Sequence, residues 1–239
     1  MSAQLPLNIS LRDSASFENY ISGKNQEPID GLVSILDNYI QKSAGDWFVY
    51  LWGGRGCGKT HLLEAVCRYA EQAGATGFVI SLMEKSELTP SMLAELEHVS
   101  VVCIDDVQNI AGSREWETAL FNLCEQRRAD KKLLVISGDN NPKYVGLELP
   151  DLQTRLAGWG LVYQLQGLED DEKLTVIKKR AHNRGIDVTD EVLRYVLNRY
   201  PRDMQALFRL LEKVDHESLA NQRKVTIPFL RTLDIDISS

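Results

Sequence analysis

Residues 53–60 run Gly53-Gly54-Arg55-Gly56-Cys57-Gly58-Lys59-Thr60, a complete G-x-x-x-x-G-K-T. The run before it, Trp47-Phe48-Val49-Tyr50-Leu51-Trp52, has the aromatic and β-branched content of a buried strand. The run after it, His61 to Ala70, repeats apolar residues at helical spacing. Strand, glycine-rich turn and helix in that order form a phosphate-binding loop. Its glycines let backbone N–H groups turn inward, and the helix N-terminus adds partial positive charge. Lys59 can neutralise terminal phosphate oxygens, and the Thr60 hydroxyl can ligate Mg²⁺. The candidate phosphate contacts are therefore Gly53, Gly54, Arg55, Gly56, Cys57, Gly58, Lys59 and Thr60, with His61 at the helix start. The ligand this predicts is a nucleoside di- or triphosphate, ADP or ATP, with Mg.

With 239 residues, 44% hydrophobic and 26% charged, the chain can build one large or two modest cores. A formal charge of −7 argues against a protein whose main affinity is for the nucleic-acid backbone. Cys57, Cys67, Cys103 and Cys124 show no C-x-x-C spacing, so neither a zinc site nor a disulfide framework is predicted. The first twenty residues lack a basic segment followed by an apolar one, and no apolar run reaches the roughly 18 residues of a membrane span. The expectation is a cytoplasmic protein with no membrane partner.

Strands and helices then alternate. Gly77 to Leu82 reads as a strand, Thr89-Pro90 opens a helix, and Val99 to Ile104 is a continuous apolar strand. Arg114 to Arg128 is amphipathic, Leu133 to Ser137 is a fourth core strand, and Leu161 to Leu165 a fifth. This pattern predicts a parallel five-stranded sheet between helices. From about Glu169 the strands cease. Glu172 to Arg184, Asp190 to Tyr200 and Met204 to His216 read as successive helices. The predicted organisation is an arm over 1–15, an α/β nucleotide-binding domain over 16–167 and a small all-helical domain over 168–239.

A second constellation is Val101-Val102-Cys103-Ile104-Asp105-Asp106, an apolar strand ending in two carboxylates. It has the form of a Walker B strand. Ligands collect at the carboxyl ends of parallel strands, so Asp105 can hold Mg²⁺ through water while Asp106 orients or deprotonates an attacking water. Asp106 is one methylene shorter than the glutamate common at that position, which predicts slow hydrolysis. Asp139 follows the fourth strand and would emerge at the same sheet edge. Arg155 offers a planar charged fork suited to phosphoryl oxygens, and Arg202 stands where a helix of the C-terminal region opens. Taken singly, each of these three also fits an ordinary surface position.

In order and approximate spacing, the loop, Asp105-Asp106, Asp139, Arg155 and Arg202 resemble Walker A, Walker B, sensor 1, arginine finger and sensor 2 of AAA+ ATPases. Within that class the chain resembles the DnaA-related family. The resemblance rests on Phe17-Glu18-Asn19-Tyr20-Ile21-Ser22-Gly23-Lys24-Asn25, on Asp105-Asp106-Val107-Gln108, and on Arg155 followed by Gly158-Trp159-Gly160. It implies that Phe17, Tyr20 and Ile21 bracket the base. DnaA continues beyond its lid into a DNA-binding domain, whereas this sequence ends at Ser239, so a DnaA-like ATPase without that reader is expected. Among such proteins the Hda-type regulatory inactivators are the most similar.

Gln4-Leu5-Pro6-Leu7-Asn8-Ile9 resembles the short peptides that bind the DNA polymerase III sliding clamp. An extended arm could seat Leu7 and Ile9 in an apolar pocket beside Leu5 while the Gln4 amide hydrogen-bonds. Pro6 disfavours a helix there. The resemblance then implies a regulator that docks on ATP-bound DnaA, supplies Arg155 in trans, supports its own active state with bound ADP, and meets DNA and the nucleoid only through the clamp. At most it would be a weak ATPase itself. The alternatives are a loader or motor whose Arg155 completes a homo-oligomeric ring, or a DnaA-like adaptor in another replication step.

Overall fold

A computed structural model describes residues 15–43, 45, 47–221 and 225–233. The Gln4–Ile9 peptide lies outside them. The elements run α1 (Gln26–Ile40), β1 (Phe48–Trp52), α2 (Lys59–Gln72), β2 (Gly77–Ser81), β3 (Val101–Asp105), α3 (Arg114–Ala129), β4 (Leu133–Gly138), α4 (Pro150–Gly158), β5 (Leu161–Gln164), α5 (Asp170–Asn183), α6 (Asp190–Arg199), α7 (Met204–Asn221) and α8 (Ile227–Thr232). The helix opened by Thr89-Pro90 is a 3-10 helix over Pro90–His98. Its capping threonine and first-turn proline fix where it starts.

All strand pairs are parallel, in the order β2-β3-β4-β1-β5. Sequence position in the sheet follows composition. β3 and β4 are buried at every residue and are apolar up to their ends at Asp105 and Ser137, while the edge strands β2 and β5 are mostly half-buried. One sheet face carries α2 and α1. There Cys67 of α2 meets Cys103 of β3, their sulfurs 3.6 Å apart. Gly31 of α1 lies so close to β5 that a Cβ would sit 2.1 Å from the Tyr163 hydroxyl, which explains a glycine inside a helix. The other face carries α3, α4 and the 3-10 helix, sealed by Phe48, Tyr50, Ile104, Leu120, Leu134 and Leu152.

Two buried charges brace this α/β region. Arg127 of α3 is fully buried, and its guanidinium donates to the carbonyls of Leu96, Val99, Ser100 and Leu133 at 2.5–3.4 Å. Those carbonyls lie just before β3 and at the start of β4. Burial brings the Arg127 guanidinium down to about 10, against the opposing pull of Tyr39, Asp130 and Cys103. Glu117, also buried, accepts backbone N–H groups from Gly112, Glu148 and Leu149, tying the loop before α4 to α3.

Contacts divide the chain into two units. The sheet unit comprises residues up to Tyr20, Glu27–Gly53 and Gly58–Gln164; the helical unit comprises Ile21–Gln26, Gly54–Cys57 and the chain from Leu165. The helical unit has its own core, built from Ile177, Ala181, Val192, Leu193, Leu207 and Leu211 among others. Thr189 caps α6 by accepting the Val192 N–H, and Thr226 caps α8 by accepting that of Phe229. Buried Asn25 pairs with the backbone of Gln166 in both directions, at 2.7 and 3.0 Å. Among the described residues no helix is long and apolar enough to cross a membrane.

Candidate functional site

The glycine-rich loop leaves β1 where the Gly53 N–H donates to the Gly138 carbonyl of β4. Gly56 and Gly58 adopt φ of 79° and 93°, a region that side chains strain to enter. A Cβ on Gly58 would also lie 2.6 Å from the Tyr20 ring, whereas one on Gly54 would meet nothing. Lys59 is buried, and its ammonium donates to the Gly53 carbonyl at 2.8 Å. The N-cap position of α2 is Gly58, which has no side chain to cap the first turn.

Opposite the loop stand the ends of β3 and β4. Asp105 is the last residue of β3 rather than the residue after it. The register pairs Ile104 with Ile136, which sets Asp105 beside Ser137. The Ser137 hydroxyl donates to one Asp105 oxygen and the Thr60 hydroxyl to the other, the latter at 2.6 Å. Burial raises the Asp105 carboxyl above its ordinary range, and the Asp106 charge raises it further. The two hydroxyl bonds and the Lys59 charge pull the other way.

Asp106 sits in the left-handed region at φ 60°, ψ 51°, a conformation of the kind held at functional positions. Gln108 ties it to the next loop. Its amide donates to Asp106 Oδ1 at 3.0 Å and accepts the Asp139 N–H at 3.2 Å. The structure thus brings Thr60, Asp105, Asp106 and Asp139 to one sheet edge. Sequence reasoning did not assign Ser137 or Gln108 to this group. A serine closing an otherwise apolar strand, at the pleat position that faces Asp105, was the available signal for the first.

The remaining candidates fall partly in the sheet unit and partly in the helical unit. Tyr20 lies against His61, ring centroids 5.4 Å apart, with His61 Nε2 3.0 Å from the Ser16 carbonyl. Phe17 instead meets Tyr69 edge-on at 5.9 Å. His61 and Tyr69 are separated by about 12 Å of helix, so Tyr20 and Phe17 pack on successive stretches of α2. Ile21 belongs to the helical unit. Within that unit Arg55 donates to Gln205 at 2.7 Å, and Arg202 pairs with Asp170 at 2.6 Å and with the Leu197 carbonyl.

Arg155 lies on α4, at the other end of the sheet. Its guanidinium carbon is 5.0 Å from the centroid of Trp159 and 5.4 Å from that of Phe121. Trp159 lies tilted against Trp47, the residue before β1, with ring centroids 5.5 Å apart, and also carries Arg128 at 4.5 Å. Gly53 and Lys59 follow the opposite end of that five-residue strand. At about 3.3 Å per residue, β1 alone separates the two stations by about 16 Å.

Residues 11–164 match the family model of the bacterial DnaA ATPase domain. The chain belongs to the DnaA-related AAA+ family. Residues 170–233 match a second model, the lid domain of Hda. Domain III of the Thermotoga maritima replication initiation protein DnaA superposes with a TM-score of 0.79 at 23% identity, covering 95% of this chain and 98% of that one. AMPPCP-bound DnaA from Aquifex aeolicus gives 0.68 at 20%, with 89% and 70% covered. The Thermotoga maritima RuvB Holliday junction branch migration motor gives 0.63 at 19%, with 89% and 70% covered. At these identities the structural likenesses establish the DnaA-type fold, a parallel sheet between helices followed by a helical lid.

The residues of this DnaA-family chain fit a polyphosphate. Two glycines hold the loop in a turn that side chains would strain, a buried ammonium donates to the Gly53 carbonyl inside that turn, and a hydroxyl and a carboxylate already face one another. Among the described residues no group of three or more His, Cys, Asp and Glu stands close enough to hold a metal ion by itself. A magnesium ion here would therefore take Thr60 and Asp105 from the protein, with phosphate and water completing its shell.

Proposed function

We propose that this chain is a nucleotide-loaded regulator of replication initiation that binds the sliding clamp and stimulates ATP hydrolysis on DnaA. The match of its helical unit to the Hda lid carries this reading. The position of Arg155 supports it from a second direction. A strand's length from Gly53 and Lys59, that guanidinium is poorly placed for a phosphate held by its own loop and suitably placed for one brought by a neighbour.

In this reading the loop, Lys59 and Thr60 hold ADP or ATP as a structural ligand, and Asp105 steadies its magnesium. Bound magnesium would spread the phosphate charge that Lys59 meets from the other side. Asp106, bent into the left-handed region and tied by Gln108, would orient water poorly, so turnover in cis is slow. Arg155 acts on the ATP of DnaA. Its fork meets charge developing on the transferred phosphoryl oxygens, which makes hydrolysis conditional on assembly. The Gln4, Leu5, Leu7 and Ile9 peptide would bring the protein to the clamp and thereby to DNA in the bacterial cytoplasm.

The test is radiolabelled ATP on DnaA, mixed with DNA-loaded clamp and either wild-type protein or Arg155→Ala. The variant should keep its fold, ADP binding and clamp binding, yet lose about 10³-fold of the stimulated rate. Arg155→Lys should recover little, because it keeps the charge without the planar fork. Full stimulation by folded Arg155→Ala would falsify the trans role. If the protein's own ATP turnover rises steeply with its concentration and falls in Arg155→Ala, a homo-oligomeric ATPase replaces the regulator.

A further inference from the structure

The orientation of Arg155 is set by its surroundings. Among the described residues its Nε–H makes one hydrogen bond, to Glu125 Oε1 of α3 at 3.0 Å. Its stem rises from α4, Trp159 and Phe121 lie within cation–π range, and only about a quarter of the side chain, 28%, remains exposed. The terminal nitrogens are different. Among the described residues they make no hydrogen bond, and Nη1 stands 3.8 Å from Asp151 Oδ1, on a side chain 71% exposed, which is a weak and solvent-screened pairing.

A guanidinium held at Nε, with its two terminal nitrogens uncommitted, keeps open the end-on edge that receives a phosphoryl group bidentately. Had the carboxylate taken both terminal nitrogens, the same ion pair would have blocked that edge. Phe121 and Glu125 lie four residues apart on α3 and so on one face, which presents ring and carboxylate together.

We infer that Glu125 is a positioning residue for the finger: it fixes the Arg155 guanidinium through Nε and aims the terminal nitrogens outward before any partner arrives. This rests on the trans reading of Arg155 given above. An unrestrained arginine samples many rotamers and must be ordered at the moment of reaction, whereas a held one has already lost that freedom. Glu125 touches no substrate and acts only through Arg155.

The experiment titrates the full-length protein against radiolabelled ATP-bound DnaA with loaded clamp, and reads the maximal single-turnover rate separately from the half-saturating concentration. Glu125→Met keeps the stem length and helix propensity but removes the acceptor. It should lower the maximal rate about ten- to hundredfold, the scale of a misplaced catalytic group, with the half-saturating concentration unchanged. Glu125→Gln retains an amide oxygen for the Nε–H and should stay within about threefold of wild type. Arg155→Ala is run beside them, and ADP affinity with circular dichroism reports folding.

A wild-type maximal rate for Glu125→Met, while Arg155→Ala is inactive, overturns the positioning role and leaves the finger standing. An equal loss in Glu125→Gln assigns the effect to charge and also overturns it. A raised half-saturating concentration at an unchanged maximal rate places Glu125 in docking instead. Full activity of Arg155→Ala removes the finger itself, an outcome distinct from the others.

Discussion

The two ends of β3 and β4 each bury one charge, and they treat it in opposite ways. Arg127 at the leading end meets carbonyls from four residues, and the strands cannot be displaced there without exposing all of them. Asp105 at the trailing end meets two hydroxyls, and burial works against its charged form. A carboxylate can accept about four hydrogen bonds, and among the described residues two hydroxyls reach Asp105. One charge is consumed by the fold. The other keeps acceptor capacity at the sheet edge where Thr60 also stands.

Replacing Arg127 by Met should produce the largest effect. Four carbonyls would lose their donors in a dry site, and at about 1–3 kcal/mol for each unsatisfied group the loss should exceed about 3 kcal/mol. For a chain of this size that is a fall in Tm of roughly 6–12 °C. Thermal unfolding followed by circular dichroism decides it, and an unchanged Tm would break the contrast at its structural end.

Lys59→Ala should leave Tm nearly alone while weakening ADP and ATP binding about 10–100-fold, the scale of a charge-assisted contact. Calorimetry with each nucleotide measures this. Unchanged affinity for both would mean that the loop holds no phosphate.

Asp105→Asn gives the smallest effect and the sharpest one. Because the folded carboxyl is raised above its unfolded value, its stabilising contribution is complete below the ordinary carboxylate range and is lost as pH rises through the raised value. Near neutral pH the asparagine variant, without nucleotide, should therefore melt about 2–4 °C higher than wild type, a shift of about 1 kcal/mol. That gain should vanish in acid. Magnesium should no longer tighten nucleotide binding. A variant that melts lower at neutral pH and higher in acid would reverse the argued sign.

Local pattern made much of this legible. The loop, the β3 strand and the change to an all-helical region were all readable because each depends on neighbours in the chain. The α1 helix was not read, since Pro28 and Gly31 interrupt its pattern; Gly31 is explained only by Tyr163, far off in sequence. Arg127 looked like one more basic residue ending an amphipathic helix, and nothing local marks the carbonyls it serves. Gln108 and Glu125 were hidden for the same reason. A polar side chain that acts by holding another is identified by its partner, and the partner arrives only with the fold.

Trp47, Trp159 and Arg155 form a contiguous cluster, with the indole rings tilted by 56°. The chain has four tryptophans in all, and the guanidinium rests on one of this pair. The arrangement is an optical gauge. Drawing Arg155 off the indole would change the field on that ring, so emission and near-ultraviolet dichroism would register any displacement of the arginine. No label is needed, and Trp159→Phe supplies the blank.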